Sequence, residues 1–255
     1  MIDIHSHLLP NIDDGSPSLA ASLDLAQQAV ADGVTHVLMT PHHMNEKYEN
    51  PKASVIAATA AFQAELDANE IPLTVFPSQE IRLTRGLLDE LAAGELLGAD
   101  ENAKYLLIEF PDNVVPDYAG QYFYELQRLG HTPIIAHPER NTAIINNPEL
   151  LKDLLKQGAL AQLTASSYVG TFGTMVAEFA EQLVAANWVN FVVSDAHVLP
   201  GRKYEMTAAL QKLGSQRAAE YEANAKAAVN GTPIKRAPMA ASLTKPSLFK
   251  RLFSK

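Results

Sequence analysis

Ile2-Asp3-Ile4-His5-Ser6-His7 opens the chain, and Thr35-His36-Val37-Leu38-Met39-Thr40-Pro41-His42-His43 follows one helical stretch later. Each is a short run rich in β-forming residues that ends in a pair of histidines. Residues 17–32 between them are amphipathic, so the first 43 residues read as strand, helix, strand. Ser16-Pro17 offers an N-cap with proline at the first helical position, and Gly33 closes the helix.

The same unit recurs along the chain. Strands are expected over 2–5, 35–40, 73–78, 105–109, 133–136, 159–163 and 189–193. Helices are expected near 17–32, 51–69, 84–93, 117–129, 148–157, 173–187, 202–213 and 215–229, the fifth framed by Asn147-Pro148 and Gly158. Seven strands, each followed by a helix, read as an α/β protein with a parallel sheet. No G-x-G-x-x-G opens a helix after any strand, which counts against an open dinucleotide-binding sheet. A closed or nearly closed β/α barrel of seven repeats fits better, and 255 residues suit one such domain.

Composition narrows the chemistry. With no cysteine, the chain has no disulfide scaffold, thiolate zinc site, iron–sulfur cluster or cysteine nucleophile. Its formal charge is −9, unevenly spread: residues 231–255 carry six basic residues and no acid, leaving 29 acidic against 14 basic residues in the body. A body that acidic argues against nucleic acid as a partner and suits a protein that spends carboxylates on cations. No run of about 18 apolar residues occurs. Met1 is followed at once by the first strand, without a basic or long apolar leader, and a cytoplasmic location is expected. The stretch 231–255, with three prolines and scattered bases, reads as a disordered tail outside a 1–230 domain. Its last residues place Leu248, Phe249, Leu252 and Phe253 at helical spacing.

Laying the polar residues on the strand map locates the function. His5 and His7 fall at the end of the first strand, and His42 and His43 just past the second. Glu80 follows the third, Glu109 ends the fourth, His137 follows the fifth, and Asp195 and His197 follow the seventh. In a β/α barrel these positions share the C-terminal rim, where active sites form. His36 and His131 lie elsewhere and read as structural; His43 is ambiguous, because neighbours in an extended segment face opposite sides. His5-x-His7 and Asp195-x-His197 are i,i+2 pairs that present both side chains to one side, a clamp for a first-row metal. Mixed imidazole and carboxylate donors suit manganese, iron or zinc more than calcium. The ligand set is too rich for one tetrahedral ion, so two or three divalent metals are expected.

At this point a resemblance enters. Ile2-Asp3-Ile4-His5-Ser6-His7, Asp13-Asp14-Gly15, Thr40-Pro41-His42-His43, Ile108-Glu109-Phe110, Ala136-His137-Pro138-Glu139-Arg140 and Ser194-Asp195-Ala196-His197 resemble the polymerase and histidinol phosphatase (PHP) superfamily. Within it, the chain is similar to the bacterial protein-tyrosine phosphatases of capsule and exopolysaccharide operons, over roughly residues 1–230. The resemblance implies a distorted seven-stranded TIM-like (β/α)7 barrel, the PHP fold, with a trinuclear, often manganese-dependent, centre. By motif, His5, His7, Glu80 and Asp195 would hold a first metal. Glu80 would bridge to a second held by Glu109 and His137, and Asp14, His42 and His197 would hold a third. Other branches place a histidine in the loop after H-x-H, where this chain has Asp13 and Asp14, and spacing leaves open which of the two is the ligand. The family analogy makes Arg140 and Arg202 phosphate-binding residues.

The implied reaction is hydrolysis of phosphotyrosine by metal-activated water, with no cysteine nucleophile. The implied partner is a phosphotyrosine protein, a bacterial tyrosine kinase that regulates capsule or exopolysaccharide synthesis. The basic tail is then a candidate contact for anionic lipid or for that kinase. Three alternatives stand beside this reading. One is a histidinol-phosphate or other small phosphomonoester hydrolase, told apart by its substrates. Another is a metal amidohydrolase, which Glu80 and Glu109 at the middle strand ends count against. The third is a non-enzymatic metal-binding regulatory module, which hydrolysis of an aryl phosphate would dismiss.

Overall fold

The computed structural model describes residues 1–198, 202 and 204–243. Parallel strands alternate with helices. The strand segments are β1 (Ile2–Ser6), β2 (His36–Met39), β3 (His42–His43), β4 (Thr74–Pro77), β5 (Glu80–Arg82), β6 (Tyr105–Glu109), β7 (Thr132–Ile135), β8 (Leu160–Thr164) and β9 (Phe191–Val193). The helices are α1 (Leu19–Ala31), α2 (Lys52–Ala68), α3 (Leu87–Ala93), α4 (Ala119–Arg128), α5 (Thr142–Asn146), α6 (Glu149–Lys156), α7 (Ala165–Val169), α8 (Thr174–Ala185), α9 (Met206–Leu213) and α10 (Ser215–Val229). Every expected helix forms, and the short α5 and α7 are additional.

The strands form two hydrogen-bonded sets, β1-β2-β4 and β3-β5-β6-β7-β8-β9, all parallel. The sheet curls until the chain leaving β9 meets β1: Asp195 N donates to His5 O at 2.9 Å, and His7 N to Ala196 O at 3.1 Å. The seven expected strands are thus nine segments among the described residues. Two of the nine, β3 and β5, lie just beyond the expected strands 35–40 and 73–78, set off from β2 and β4 by Thr40-Pro41 and Ser78-Gln79, where Pro41 has no N–H to donate to the ladder. The pairing register is nonetheless the same on both sides, with His36 opposite Thr74 and His42 opposite Glu80. Ser78 N to Met39 O (2.9 Å) and Glu80 N to Pro41 O (3.1 Å) bridge the break.

Inside the curl, alternate strand residues form an apolar layer of Ile4, Leu38, Tyr105, Leu107, Ile134, Leu160 and Phe191. Ala225 and Ala228 of α10 pack on this layer and close the end away from the rim. The opposite strand faces carry Val37, Met39, Ile81, Leu106, Ile108, Ile135, Ala161 and Leu163 into a larger core under the helices. β1 departs from simple alternation. Its register against β2 slips between Asp3 and Ser6, and Ile4 joins the inner layer although His5 also faces inward, toward Glu80. Only a bulge lets consecutive residues share a face.

Two expectations differ in detail. The α1 cap is Ser18, whose hydroxyl accepts from Ala21 N at 3.2 Å, rather than Ser16. Ser16 is buried, with its hydroxyl engaged by Ser22 and Ser18. The stretch expected to be disordered from residue 231 is laid against the body as far as Leu243. Tyr105 Oη and Lys104 Nζ donate to Thr232 O and Gly231 O, and Trp188 Nε1 donates to Ala240 O at 3.0 Å. Arg236 donates to the carbonyls of Leu155, Gly158 and Ala159, the last at 2.7 Å. These backbone partners are long-range, so composition carried no trace of them. Leu248, Phe249, Leu252 and Phe253 lie outside the described residues. Among the described residues no helix is long and apolar enough to cross a membrane.

Candidate metal centre

Strand ends place the functional side chains. On β5, Ile81 is buried in the outer core, so Glu80 and Arg82 face inward. On β6 the alternation that puts Tyr105 and Leu107 inside delivers Glu109 at the rim, and on β9 that of Phe191 and Val193 delivers Asp195. His137 (φ 30°) and Asp195 (φ 48°) are non-glycine residues in the left-handed region, a strained backbone of the kind that concentrates at functional sites. Gly15 lies against the backbone and Cβ of His7, leaving no room there for a side chain.

All nine expected ligands converge. Glu80 lies at the middle: its Oε2 is 3.3 Å from the Nε2 of both His5 and His7 and 3.1 Å from His42 Nδ1, and its Oε1 is 2.9 Å from His137 Nε2. Glu109 reaches His42 Nδ1 at 3.6 Å and His137 Nε2 at 3.8 Å. Asp195 Oδ1 is 3.5 Å from the Nε2 of His5 and of His7. Asp14 Oδ1 stands 3.4 Å from the Nε2 of both His42 and His197. Three overlapping groups therefore have donor atoms close enough to share an ion: His5, His7 and Glu80; His42, Glu80 and Glu109; and His7, Asp14, His42 and His197.

The geometry separates Asp13 from Asp14. Asp13 faces away from the cluster, accepting from His7 Nδ1 (2.8 Å) and from Gly15 N (2.9 Å), while Asp14 offers its oxygen to two imidazoles. Asp13 therefore orients the His7 ring, and Asp14 is placed where it could offer an oxygen to a cation. His43 turns away, its Nδ1 between Glu49 and Asn50 N. His36 stacks on Phe76, and His131 Nδ1 donates to Ala103 O, both apart from the rim.

The electrostatics fit cations. Burial opposes charge throughout, yet the Arg140 and Arg202 guanidinium groups hold Asp195 well below the usual carboxylate range, and His5 and His42 do the same for Glu80. Glu109 is pushed up to about 8 by burial and by the Glu80 charge. His137 and His197 are both lowered to about 4, chiefly by burial, which leaves their lone pairs free at neutral pH. Glu80 Oε2, Glu109 Oε2, His42 Nδ1 and His197 Nε2 are buried without a hydrogen-bond partner. Buried atoms without partners, and a Glu109 carboxyl raised beside the Glu80 charge, are costly alone and are of the kind that bound cations would satisfy.

Arg140 Nη2 lies 2.6 Å from Asp195 Oδ2, and Arg202 Nη2 donates to Asp195 Oδ1 at 2.7 Å. Both arginines line a cavity of about 1020 Å³ that opens above the cluster. Sequence reasoning passed over three residues beside the ligands. The Gln162 amide is hydrogen-bonded to His5 Nδ1, Arg82 Nη2 lies 2.9 Å from Glu109 Oε2, and buried Asp3 accepts from Ser194 N and Oγ, tying β1 to the exit of β9. A polar residue among the apolar residues of a buried strand was the available signal for Gln162 and Asp3.

Residues 1–231 match the profile of the family described as capsular polysaccharide synthesis, CpsB/CapC. The chain belongs to the CpsB/CapC family. It is 45% identical over 213 residues to the tyrosine-protein phosphatase YwqE of Bacillus subtilis (strain 168), 84% of each chain. It is 28% identical over 231 residues to the tyrosine-protein phosphatase CpsB of Streptococcus pneumoniae, covering 86% of this chain and 94% of that one. A solved structure from work on YwqE and CpsB, described there as unique metal-dependent tyrosine phosphatases, superposes with a TM-score of 0.90 at 40% identity, over 96% of this chain and 100% of that one. The organophosphorus hydrolase of Deinococcus radiodurans shares the fold alone, with a TM-score of 0.53 at 12% identity over 89% of this chain and 92% of that one. Every rim residue named above falls within the CpsB/CapC match.

Proposed function

We propose that this CpsB/CapC chain is a metal-dependent protein-tyrosine phosphatase that hydrolyses phosphotyrosine without a cysteine nucleophile. The observation that carries the reading is the buried, unpartnered His/carboxylate cluster flanked by arginines, in a chain that has no cysteine and whose relatives bear that activity. In this reading His5, His7, Glu80 and Asp195 would hold one divalent ion. Glu80 with Glu109 and His137 would hold a second, and Asp14, His42 and His197 a third, manganese being the expected metal. When bound, such ions acidify water toward neutral pH and offset charge on phosphoryl oxygens.

The chain's own residues do the rest. Asp13 fixes the His7 ring through Nδ1, so that Nε2 faces the cluster. Arg140 and Arg202 are anchored by Asp195 and present guanidinium forks to the equatorial phosphoryl oxygens. Tyrosine leaves with a phenol pKa near 10, which reduces the need for a protonating side chain. The substrate is a phosphotyrosine protein, a bacterial tyrosine kinase of capsule or exopolysaccharide synthesis, met in the cytoplasm, with the basic residues after 243 as a contact for it or for anionic lipid. The same reading counts β2 with β3 and β4 with β5 as interrupted strands of one seven-stranded β/α barrel, which their unbroken register supports.

The test is phosphate release from a phosphotyrosine peptide, with histidinol phosphate in parallel. Chelation should abolish release and manganese restore it, and Arg140→Ala should keep its metal while losing about 10²–10³-fold in kcat. Full activity in metal-stripped protein, or a preference for histidinol phosphate, would overturn the reading.

A further inference from the structure

We propose that Arg82 is a third phosphoryl-binding residue, facing Arg140 and Arg202 across the centre; the inference rests on the phosphatase reading above. The three arginines share exposure, cavity and a contact to a rim carboxylate. Their side chains are 20%, 22% and 21% exposed for Arg82, Arg140 and Arg202, and all three line the same cavity. Each reaches a carboxylate of the metal cluster through Nη2, at 2.9, 2.6 and 2.7 Å.

They differ in the carboxylate they reach, and only the Arg202 contact is an aligned hydrogen bond. Arg140 and Arg202 share Asp195. From Asp195 the contacts run to His5 (3.5 Å), from His5 to Glu80 (3.3 Å), from Glu80 to His42 (3.1 Å), and from His42 to Glu109 (3.6 Å), where Arg82 stands. A phosphoryl group in the shared cavity thus has two guanidinium groups at Asp195 and a third at Glu109.

The Arg82–Glu109 contact does not exhaust Arg82. Glu109 Oε2 has no hydrogen-bond partner, so the pair is held by charge and not by an aligned N–H. A guanidinium carries five N–H donors in a planar fork, and those of Arg82 remain available to a dianion in the cavity. β5 commits Arg82 to this place: Glu80 and Arg82 are i,i+2 on a strand whose intervening Ile81 is buried in the outer core. The competing role is structural, in which Arg82 serves only to keep Glu109 charged and in place.

The experiment separates the two roles with inorganic phosphate as probe. Manganese-loaded wild type, Arg82→Ala and Arg82→Lys are compared for bound metal and for phosphate affinity by calorimetry, beside phosphotyrosine-peptide hydrolysis. The proposal expects Arg82→Ala to retain its metal and bind phosphate about ten- to a hundredfold more weakly, as for a lost charge-assisted hydrogen bond. Arg82→Lys, which keeps the charge but loses the fork, should fall between. Phosphate affinity equal to wild type in either variant, or lost metal with unchanged phosphate affinity in the loaded fraction, would overturn it. Should wild type itself release no phosphate from the peptide, the phosphatase reading fails instead, which the wild-type arm reports separately.

Discussion

The two ends of the curled sheet's interior are built from the same strands to opposite rules. On β6 Leu107 lies in the apolar layer and Glu109, two residues further, in the His/carboxylate cluster; on β8 Leu160 is followed by Gln162, and on β9 Val193 by Asp195. α10 packs on the inner layer, which is apolar apart from the Tyr105 hydroxyl reaching out to Thr232 O. The rim is just as buried, with His5, His7, Glu80, Asp195 and His197 each at most 1% exposed, yet it holds unpartnered polar atoms and two left-handed backbones. Burial that stabilises one end is therefore a cost at the other, a division expected where a site is held ready for ligands that repay the cost on binding.

Glu80→Gln should break this comparison most forcefully. Glu80 touches four imidazoles, and its loss should remove metal and lower kcat/KM by about 10³-fold or more, roughly 4 kcal/mol. The chelated protein should weaken as well. His5 and His42 hold the Glu80 carboxyl well below the usual carboxylate range, so a neutral amide forfeits a stabilising interaction and the metal-free variant should melt lower than metal-free wild type. Metal analysis, steady-state kinetics and paired thermal melts check both halves. An unchanged melting temperature in the chelated variant would mean that the Glu80 charge does not support the fold.

The opposite end should show the reverse signature. Phe191 is completely buried in the inner layer, and Phe191→Ala should cost about 3–5 kcal/mol in urea unfolding through the cavity it leaves. The folded fraction should still bind metal at the wild-type ratio. Metal loss out of proportion to unfolding would show that the two ends are coupled through β9.

What the sequence made legible follows from what is local. Period-two runs bounded by proline and glycine revealed the strands, and a residue's position at a strand end revealed the rim, because both depend only on neighbours along the chain. His5, His42, Glu109 and His197 were found in this way. The β1 bulge was not legible, since it arises from pairing with β2, and Ile4 and His5 look like residues of opposite faces. Nor was the packing of residues 231–243, whose proline-rich stretch is held by carbonyls of Leu155, Gly158, Ala159 and by Trp188. Arg82 was passed over because a lone arginine near a strand end usually faces solvent. Asp13 and Asp14 were indistinguishable for the same reason: adjacent carboxylates differ only in what the fold brings to them.

That last pair offers the finest test of the boundary between the cluster and its support. In Asp13→Asn the side-chain oxygen can still accept from Gly15 N, which preserves the turn, but the amide nitrogen then faces His7 Nδ1 and cannot accept its proton. His7 loses the partner that sets its tautomer while keeping its place against Gly15. Metal affinity should fall about 10- to 100-fold, the range for a lost orienting partner, and saturating metal should restore most of the turnover. Asp14→Asn should respond differently, because Asp14 supplies an oxygen to His42 and His197 at the cluster itself. Excess metal should then fill the remaining sites without recovering the rate. Metal titrations followed by activity for both variants decide the matter, and equal rescue of the two would erase the distinction between orienting residue and ligand.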